Sequence, residues 1–600
     1  MVRSKGWLLR GMALSVAAVL TLAACGTGSP SPSTAEESQG ESAAPSAAGQ
    51  AGGTLYLLKA ADNWDTVDPQ RIYTGEDLAF FGGTIMRSLE AYTFSADPAE
   101  GTSLTPDLAT DLGTASDGGK TWSFTLRDGV TWQDGSEVTC EDVKYGVSRT
   151  FAVDVIQAGP TYVIAYLDIP AEDDPASQDL GFATKYHGPY RGDGQEFFDQ
   201  AVTCDGKTIS FHLNKAIADF NYTTTLGMAP VQKSADPGND QYGEPNNLTT
   251  SNGPYMIESY TTGNGGKMIL VRNPEWNSDS DPYRKAYPDT WEVHFGIDDK
   301  VMDQRLIQSS GNDQWAVQYG QVQPENLAVV FQDAETPTPQ FASRAISGFD
   351  PYSRYYWINT KKVTNVKIRQ AMAVALNREA IRLNAGGAFA GDFADGVVKP
   401  NIGQDYAPTG FYTEFFGKEI PGEGDPALAM QLIEESGEAA PEICFNHVDS
   451  EVNARAAAIV IESLGRAGIK VTAAPLPRGD YYGIVFDPDA ACEFGVAGWG
   501  PDWPNASTIL GPLFTLTGGF DLSQWDDPDF NAKVEAALSE LDRAKQATLW
   551  QALNKEAAEL VLVIPTLFGR SQTIAGTKVG PIYRWSAYGS WPYGAMYAAP

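Results

Sequence analysis

The stretch GWGPDWPN, from Gly498 to Asn505, places one carboxylate between two large aromatic rings. Trp499 and Trp503 flank Asp502, and the surrounding glycines and prolines favour a turn over a helix. Apolar rings exclude water, and a carboxylate in such surroundings attracts a cation more strongly than it would in solvent. The alternative is a structural turn, in which Trp499 packs in the core and Asp502 caps the following segment.

Other chemistry has little support in the sequence. The catalytic patterns HExxH, GxSxG and GxxxxGK[ST] do not occur, although the many carboxylates leave a glycosidase-like acid pair open. No CxxC pair occurs and the four histidines are scattered, so we expect no metal site and no cofactor. The formal net charge of −34 argues against a nucleic-acid partner and against adhesion to anionic lipid, since both need clustered Lys and Arg.

The N-terminus predicts export and a lipid anchor. A basic start precedes an apolar run from Met12 to Leu22, which is too short to span a bilayer. The run ends in LAAC, which resembles the lipobox of bacterial lipoproteins, in which the signal is cut before the cysteine and the thiol is lipidated. We therefore expect residues 1–24 to be a signal peptide and Cys25 to carry the acyl chains that hold the protein on the extracytoplasmic face of the membrane. Residues 25–52 are rich in Ser, Pro, Ala and Gly, and this predicts a disordered tether.

Four further cysteines remain, and an even number in an exported chain predicts two disulfides. Order along the chain favours Cys140 with Cys204 and Cys444 with Cys492. The other two pairings stay open on sequence alone.

Apolar periodicity indicates a mixed α/β fold that would position these residues. Thr121 to Leu126 alternates apolar and polar residues, as a strand does, and Val366 to Leu383 has the spacing of one helix. A strand from Glu442, a helix from Asn453 to Ala467 and a strand from Ile469 form a βαβ unit, which predicts a parallel pair of strands.

Several longer stretches carry a family resemblance. In chain order they are SDGGKTWSFTLRDGVTWQDGSEVTCEDVKYGV (Ser116 to Val147), NGPYMIESY (Asn252 to Tyr260), NVKIRQAMAVALNREAI (Asn365 to Ile381), LGRAGIKV (Leu464 to Val471) and GWGPDW (Gly498 to Trp503). Together they resemble the family 5 extracellular solute-binding proteins, which are the receptors of peptide and oligopeptide ABC importers. The resemblance covers nearly all of the chain after the tether.

The resemblance implies an α/β fold of the type II periplasmic-binding-protein kind, with two lobes that close on a ligand and an extra α/β domain beside lobe I. Hinge crossings are expected near Ile297 and Arg570. The implied ranges are residues 53–96, 231–297 and 571–600 for lobe I, residues 97–230 for the extra domain, and residues 298–570 for lobe II.

The resemblance also implies a ligand site. In peptide-binding members, an aspartate at the place of Asp502 pairs with the α-amino group of the ligand, and Trp499 and Trp503 would exclude water from that pair. A core position or a loop cap is the alternative for each of the other residues that the resemblance places near the cleft. These residues are Tyr355, Trp357, Trp64 and Asp65.

The expected function is therefore that of a monomeric receptor, not an enzyme, which captures a peptide and delivers it to the transmembrane permease of an ABC importer. A first alternative is the same role for an oligosaccharide, because tryptophan rings suit the faces of sugars. An alternative of another class is a cell-surface lipoprotein hydrolase.

Overall fold

The computed structural model describes residues 49–157, 159–478, 480–515 and 518–600. The predicted signal peptide, Cys25 and nearly all of the predicted tether lie outside the described residues. Within these ranges, no helix is both long enough and apolar enough to cross a bilayer.

The fold is α/β, as expected. The strands are β1 Thr54–Leu58, β2 Glu90–Tyr92, β3 Leu104–Pro106, β4 Thr114–Ser116, β5 Thr121–Thr125, β6 Val202–Asp205, β7 Thr208–His212, β8 Tyr255–Thr261, β9 Lys267–Arg272, β10 Thr290–His294, β11 Ala316–Gln318, β12 Ala345–Ile358, β13 Gly391–Phe393, β14 Glu442–Val448, β15 Lys470–Leu476, β16 Phe494–Trp499, β17 Val563–Ile574, β18 Val579–Gly580 and β19 Tyr597–Ala598.

The helices lie between these strands and cover the sheets. They are α1 Gly75–Thr84, α2 Pro98–Gly101, α3 Cys140–Arg149, α4 Tyr162–Tyr166, α5 Pro175–Gln178, α6 Gln195–Ala201, α7 Phe220–Thr223, α8 Asp299–Gln308, α9 Pro324–Val330, α10 Val366–Ala375, α11 Arg378–Asn384, α12 Pro426–Ser436, α13 Glu451–Gly465, α14 Tyr481–Val485, α15 Ser507–Phe514, α16 Pro528–Ser539 and α17 Arg543–Glu559.

Three sheets organise the chain. The five-stranded sheet has the order β11-β1-β10-β9-β8 and forms the centre of lobe I. The six-stranded sheet has the order β13-β17-β12-β16-β14-β15 and forms the centre of lobe II. The extra domain contains the four-stranded sheet, of order β4-β5-β7-β6, whose inner face packs on a core that includes Trp122 and Phe211.

The predicted βαβ unit is confirmed in lobe II. Strands β14 and β15 pair in parallel from Glu442 opposite Lys470 to Val448 opposite Leu476, and helix α13 connects them. Ser450 begins this helix, and its side chain accepts a hydrogen bond from the backbone N–H of Asn453.

The single helix predicted from Val366 to Leu383 is wrong in one respect, because the structure has two helices there. Helix α10 ends at Ala375, and α11 begins at Arg378. Asn377 causes the break, since its side chain accepts a 2.8 Å hydrogen bond from the N–H of Ala380 and so caps a new helix. Periodicity alone does not show such a break, because the apolar residues of both helices face the same core.

Two strands extend the main sheets beyond the crossings expected from the resemblance. Strand β11 lies beyond the predicted crossing at Ile297, yet it pairs in parallel with β1 and belongs to the sheet of lobe I. Val317 of this strand packs into the core of that lobe. Strand β17 belongs to lobe II and continues past Arg570 as far as Ile574, which lies opposite Ala345.

Both disulfides favoured by chain order are present. Cys140 at the start of α3 bonds Cys204 in β6, with Cα atoms 6.0 Å apart. Cys444 in β14 bonds Cys492, just before β16, with Cα atoms 5.1 Å apart. Each bridge therefore ties two elements of one structural region.

Candidate ligand-binding cleft

Asp502 lies half-buried in the loop that follows β16, where two tyrosine hydroxyls bind its carboxylate. Tyr162 Oη of the extra domain donates to Oδ2, and the hydroxyl of Tyr73, just before α1, also donates to the carboxylate. Burial raises the pKa of Asp502, and the two hydroxyls partly oppose that rise. No cationic side chain of the described residues contributes to this shift, so the carboxylate is held by neutral donors alone.

Asp502 does not cap the helix that follows it. Helix α15 begins at Ser507, and the N–H of Ser507 donates to Asn505 Oδ1 at 2.9 Å. The N-cap residue of α15 is Ala506, which makes no side-chain cap, so the capping role proposed for Asp502 in the structural-turn alternative is absent and Asp502 is left to its two tyrosine partners.

Trp503 fixes the position of this loop against the extra domain. Its ring is buried, and its Nε1 donates to Asp219 Oδ2 at 2.9 Å. Ser507 Oγ donates to the same oxygen. The ring also packs edge-on against Tyr162, with the ring centroids 4.6 Å apart. Trp503 thus holds Asp502 beside Tyr162 by packing and hydrogen bonding.

Trp499 occupies a more open position than Trp503. Its ring is half-buried and lies 4.8 Å from the ring of Phe520, and its Nε1 donates to the carbonyl of Thr508 at 2.6 Å. These contacts fix the ring at the edge of the lobe II core, where part of its surface remains accessible.

Tyr355 and Trp357 belong to the core of lobe II, which corrects their expected position at the cleft. They are 2% and 1% exposed. Strand β12 pairs along both edges within the six-stranded sheet, and a buried cluster of side chains covers each of its faces. The alternation along β12 sends Tyr355 and Trp357 into one cluster, and Tyr356 and Ile358 into another.

Trp64 and Asp65, which are adjacent in the chain, lie in different surroundings. Trp64 is buried in the core of lobe I, 4.8 Å from the ring of Phe81, and Lys59 Nζ lies 4.4 Å from its ring centroid. Asp65 is exposed to solvent. Trp64 therefore has a structural environment, whereas Asp65 remains accessible.

A cavity between the lobes brings together residues that sequence patterns do not connect. Its volume is about 210 Å³. A Cβ placed at Gly500 would lie 3.2 Å from the ring of Tyr352, which lines the cavity, so the cavity begins beside the Asp502 loop. Its polar lining consists of Glu76, Gln318, Gln321, Asp350, Tyr352, Arg354, Ser571, Thr573, Arg584 and Ser590.

Charged groups are concentrated on one wall of this cavity. Asp350 pairs with Lys399 Nζ at 2.8 Å and with Arg354 Nη1 at 2.6 Å. Burial alone would raise the pKa of Asp350, but the two cations outweigh it and hold the pKa below its ordinary value. Burial lowers the pKa of Lys399 to about 8. Among the residues that the structure describes, no three His, Cys, Asp or Glu side chains are grouped so that they could hold a metal ion.

The architecture and the cleft are those of a solute-binding protein with two lobes. The model of the bacterial extracellular solute-binding proteins, family 5, matches residues 103–521, and the chain belongs to this family.

Relatives of known name agree with this assignment. The chain is 22% identical over 480 residues to the oligopeptide-binding protein OppA of Bacillus subtilis. The aligned region covers 78% of this chain and 79% of OppA. It is 24% identical over 552 residues to a dipeptide-binding protein of Pseudomonas aeruginosa. The aligned region covers 87% of this chain and 92% of that protein. The solved structure of clavulanic acid biosynthesis oligopeptide binding protein 2 is 27% identical, with a TM-score of 0.77 and coverage of 92% and 96%.

Proposed function

We propose that this protein captures a peptide in the cleft between its lobes and delivers it to the permease of an ABC importer. The observation that carries the proposal is the carboxylate of Asp502, which burial and two neutral hydroxyls hold without a cation from the described residues. The α-amino group of a peptide would supply the missing positive charge. The names of the relatives, which bind oligopeptides and dipeptides, support the same class of ligand.

The physical chemistry of the pair explains why the site would select an amine. A buried ammonium is costly unless it is paired and hydrogen-bonded. In this proposal Asp502 supplies the opposite charge and Trp503, which is bonded to Asp219, keeps the loop in place. The accessible part of the Trp499 ring would shield the pair from water. Asp65, exposed beside Trp64, is a further candidate for a ligand contact at the rim.

Binding of free and N-acetylated forms of one peptide pool tests this proposal. Acetylation removes the positive charge and keeps the rest of the peptide, so the acetylated pool should bind far more weakly in titration calorimetry. Equal affinity for the two pools would contradict the amine role of Asp502 and favour the oligosaccharide alternative. Recovery of the peptides unchanged after incubation would separate a receptor from a hydrolase.

We infer that the two lobes move about the segments that join the sheets. The proposed lobe I comprises residues 53–96, 231–318 and 575–600, the extra domain residues 97–230, and lobe II residues 345–574. The membership of β11 and β17 in their sheets supports this change from the ranges expected from resemblance. Residues 319–344 and the end of β17 would then contain the hinge.

We propose that the protein is monomeric and is held at the extracytoplasmic face of the membrane by acyl chains on Cys25. The support is the LAAC motif after an apolar signal, followed by a polar tether. Cys25→Ser should release the protein into the medium, as fractionation and immunoblotting would show. Retention of the variant in the membrane fraction would contradict the anchor.

A further inference from the structure

The extra domain is tied to lobe I, into which both ends of its chain segment lead. Arg149 in α3 pairs with Asp68 of lobe I at 2.7 Å. Asp107 pairs with Arg87 at 2.7 Å and with Arg284 at 2.8 Å, and both arginines belong to lobe I. None of these side chains is more than 1% exposed. Separation of the two parts would leave buried charges without partners, so the extra domain and lobe I form one unit.

The contact between the extra domain and lobe II is of a different kind. Asp219, just before α7, accepts hydrogen bonds from Trp503 Nε1 at 2.9 Å and from Ser507 Oγ, and both donors belong to lobe II. The N–H of Ala218 donates to the carbonyl of Leu538 in α16 at 2.8 Å. The carboxylate of Asp219 does not cap α7. These hydrogen bonds can therefore break without the unfolding of either part.

The surroundings of Asp219 make this contact reversible. The residue is 2% exposed, and its Oδ1 finds no hydrogen-bond partner among the residues that the structure describes. Burial raises the pKa of Asp219, so the contact disfavours the ionised carboxylate. Exposure to water would hydrate Oδ1 and remove this cost. The ion pair of Lys215 with Glu535 in the same contact is exposed on both sides and adds little.

We propose that Asp219 is the positioning residue of an interdomain clasp, by which the extra domain holds lobe II in the closed cleft. The clasp consists of Ala218 and Asp219 on one side and of Trp503, Ser507 and Leu538 on the other. The inference rests on the lobe movement in the proposed function and adds a role for the extra domain. None of the clasp hydrogen bonds involves a ligand, so the clasp favours closure with or without peptide. It therefore slows the opening that precedes the entry and the release of a peptide.

Hydrogen–deuterium exchange of the full-length protein without peptide tests the clasp. Asp219→Ala removes both hydrogen bonds to the carboxylate, and the control is Asp179→Ala, at an exposed aspartate of the same domain. Exchange of the Ala218 amide, resolved by electron-transfer fragmentation, should become about tenfold faster in Asp219→Ala. Each of two hydrogen bonds is worth about fivefold, and hydration of Oδ1 offsets part of the loss. Exchange in β5 and β7 should not change, because the extra domain stays folded.

Ser507→Ala tests the same contact from the side of lobe II. It removes one hydrogen bond to Asp219 and should accelerate exchange of the Ala218 amide by a smaller factor. Added to Asp219→Ala it should have no further effect, because the Ser507 hydroxyl then has no clasp partner left to lose. Equal exchange of the Ala218 amide in all proteins would overturn the clasp. So would faster exchange of β5 and β7 in both variants, because Asp219 would then stabilise the extra domain itself.

Release of peptide separates the clasp from a simple loss of the binding site. Each protein is loaded with a pool of tripeptides that have free amines and is chased with a ¹³C-labelled copy of the pool, and mass spectrometry follows the bound fraction. Asp219→Ala should release the pool about tenfold faster than the wild type and Asp179→Ala, while association stays equal or becomes faster. Slower association with unchanged release would overturn the clasp. If no protein binds the pool, the proposed function fails, and exchange of the Ala218 amide alone decides the clasp.

Discussion

Replacement of Asp502 by Asn separates the charge of this residue from its shape. The amide oxygen of Asn can still accept hydrogen bonds from Tyr162 and Tyr73, the two donors that hold the carboxylate in the structure. Burial raises the pKa of Asp502, which means that the fold disfavours the ionised form. We therefore expect Asp502→Asn to unfold, in the absence of peptide, at the same denaturant concentration as the wild type or at a higher one.

Although Asp502→Asn should not lower the stability of the protein, it should weaken the binding of peptides. Loss of one partner strands the other charge of a buried ion pair, and this costs about 3–5 kcal/mol. Because 1.4 kcal/mol corresponds to a factor of ten, the affinity for a peptide with a free amine should fall by about a hundredfold or more. The affinity for the N-acetylated peptide should change little, since that ligand brings no ammonium to the site.

Calorimetric titration of both peptides into both proteins measures this difference directly. Asp526→Asn is the matched control, because Asp526 is an exposed aspartate of the same lobe and its replacement changes the net charge equally. The control should bind both peptides as the wild type does. If Asp502→Asn folds normally and keeps wild-type affinity for the free amine, the reasoning from burial and charge is refuted, and Asp502 is a structural residue.

Three further perturbations test the structure around the cleft. Replacement of both Cys444 and Cys492 by Ala should lower the free energy of unfolding in urea by about 4 kcal/mol, since the bridge closes a long loop in the unfolded chain; an unchanged midpoint would contradict this. Trp503→Phe should cost about 1–3 kcal/mol because buried Asp219 loses a donor, and equal stability in guanidinium chloride would show that the bond is dispensable. Burial raises the pKa of Asp521 to about 6, so the fold favours its protonated form. Its contribution to stability is full below about pH 4 and is lost as the pH rises to about 6, a change on the order of 3 kcal/mol. Asp521→Asn should flatten this part of the stability profile, and a profile parallel to that of the wild type would be the contrary result.

Much of the fold follows from patterns that extend over a few residues. A strand, an Ala-rich helix and a second strand predict the βαβ unit of β14, α13 and β15, because apolar spacing and caps act within one or two turns of the chain. The break at Asn377 shows the limit of such patterns. A side-chain cap divides the helix there, while the apolar periodicity continues without interruption.

For the candidate site too, some features follow from the sequence and others only from the tertiary structure. Sequence by itself determined the family and the α/β class, favoured the two disulfides that are present and singled out Asp502 as the candidate carboxylate, since each depends on motifs or on order along the chain. Only the tertiary structure decided which groups surround that carboxylate: Tyr162 lies 340 positions away in sequence, and burial of Tyr355 and Trp357 depends on neighbouring strands. The cavity with Arg584 is assembled from separate segments in the same way. Burial, and with it the energy of a charge, is a property of groups brought together by folding, and no local pattern of residues records it.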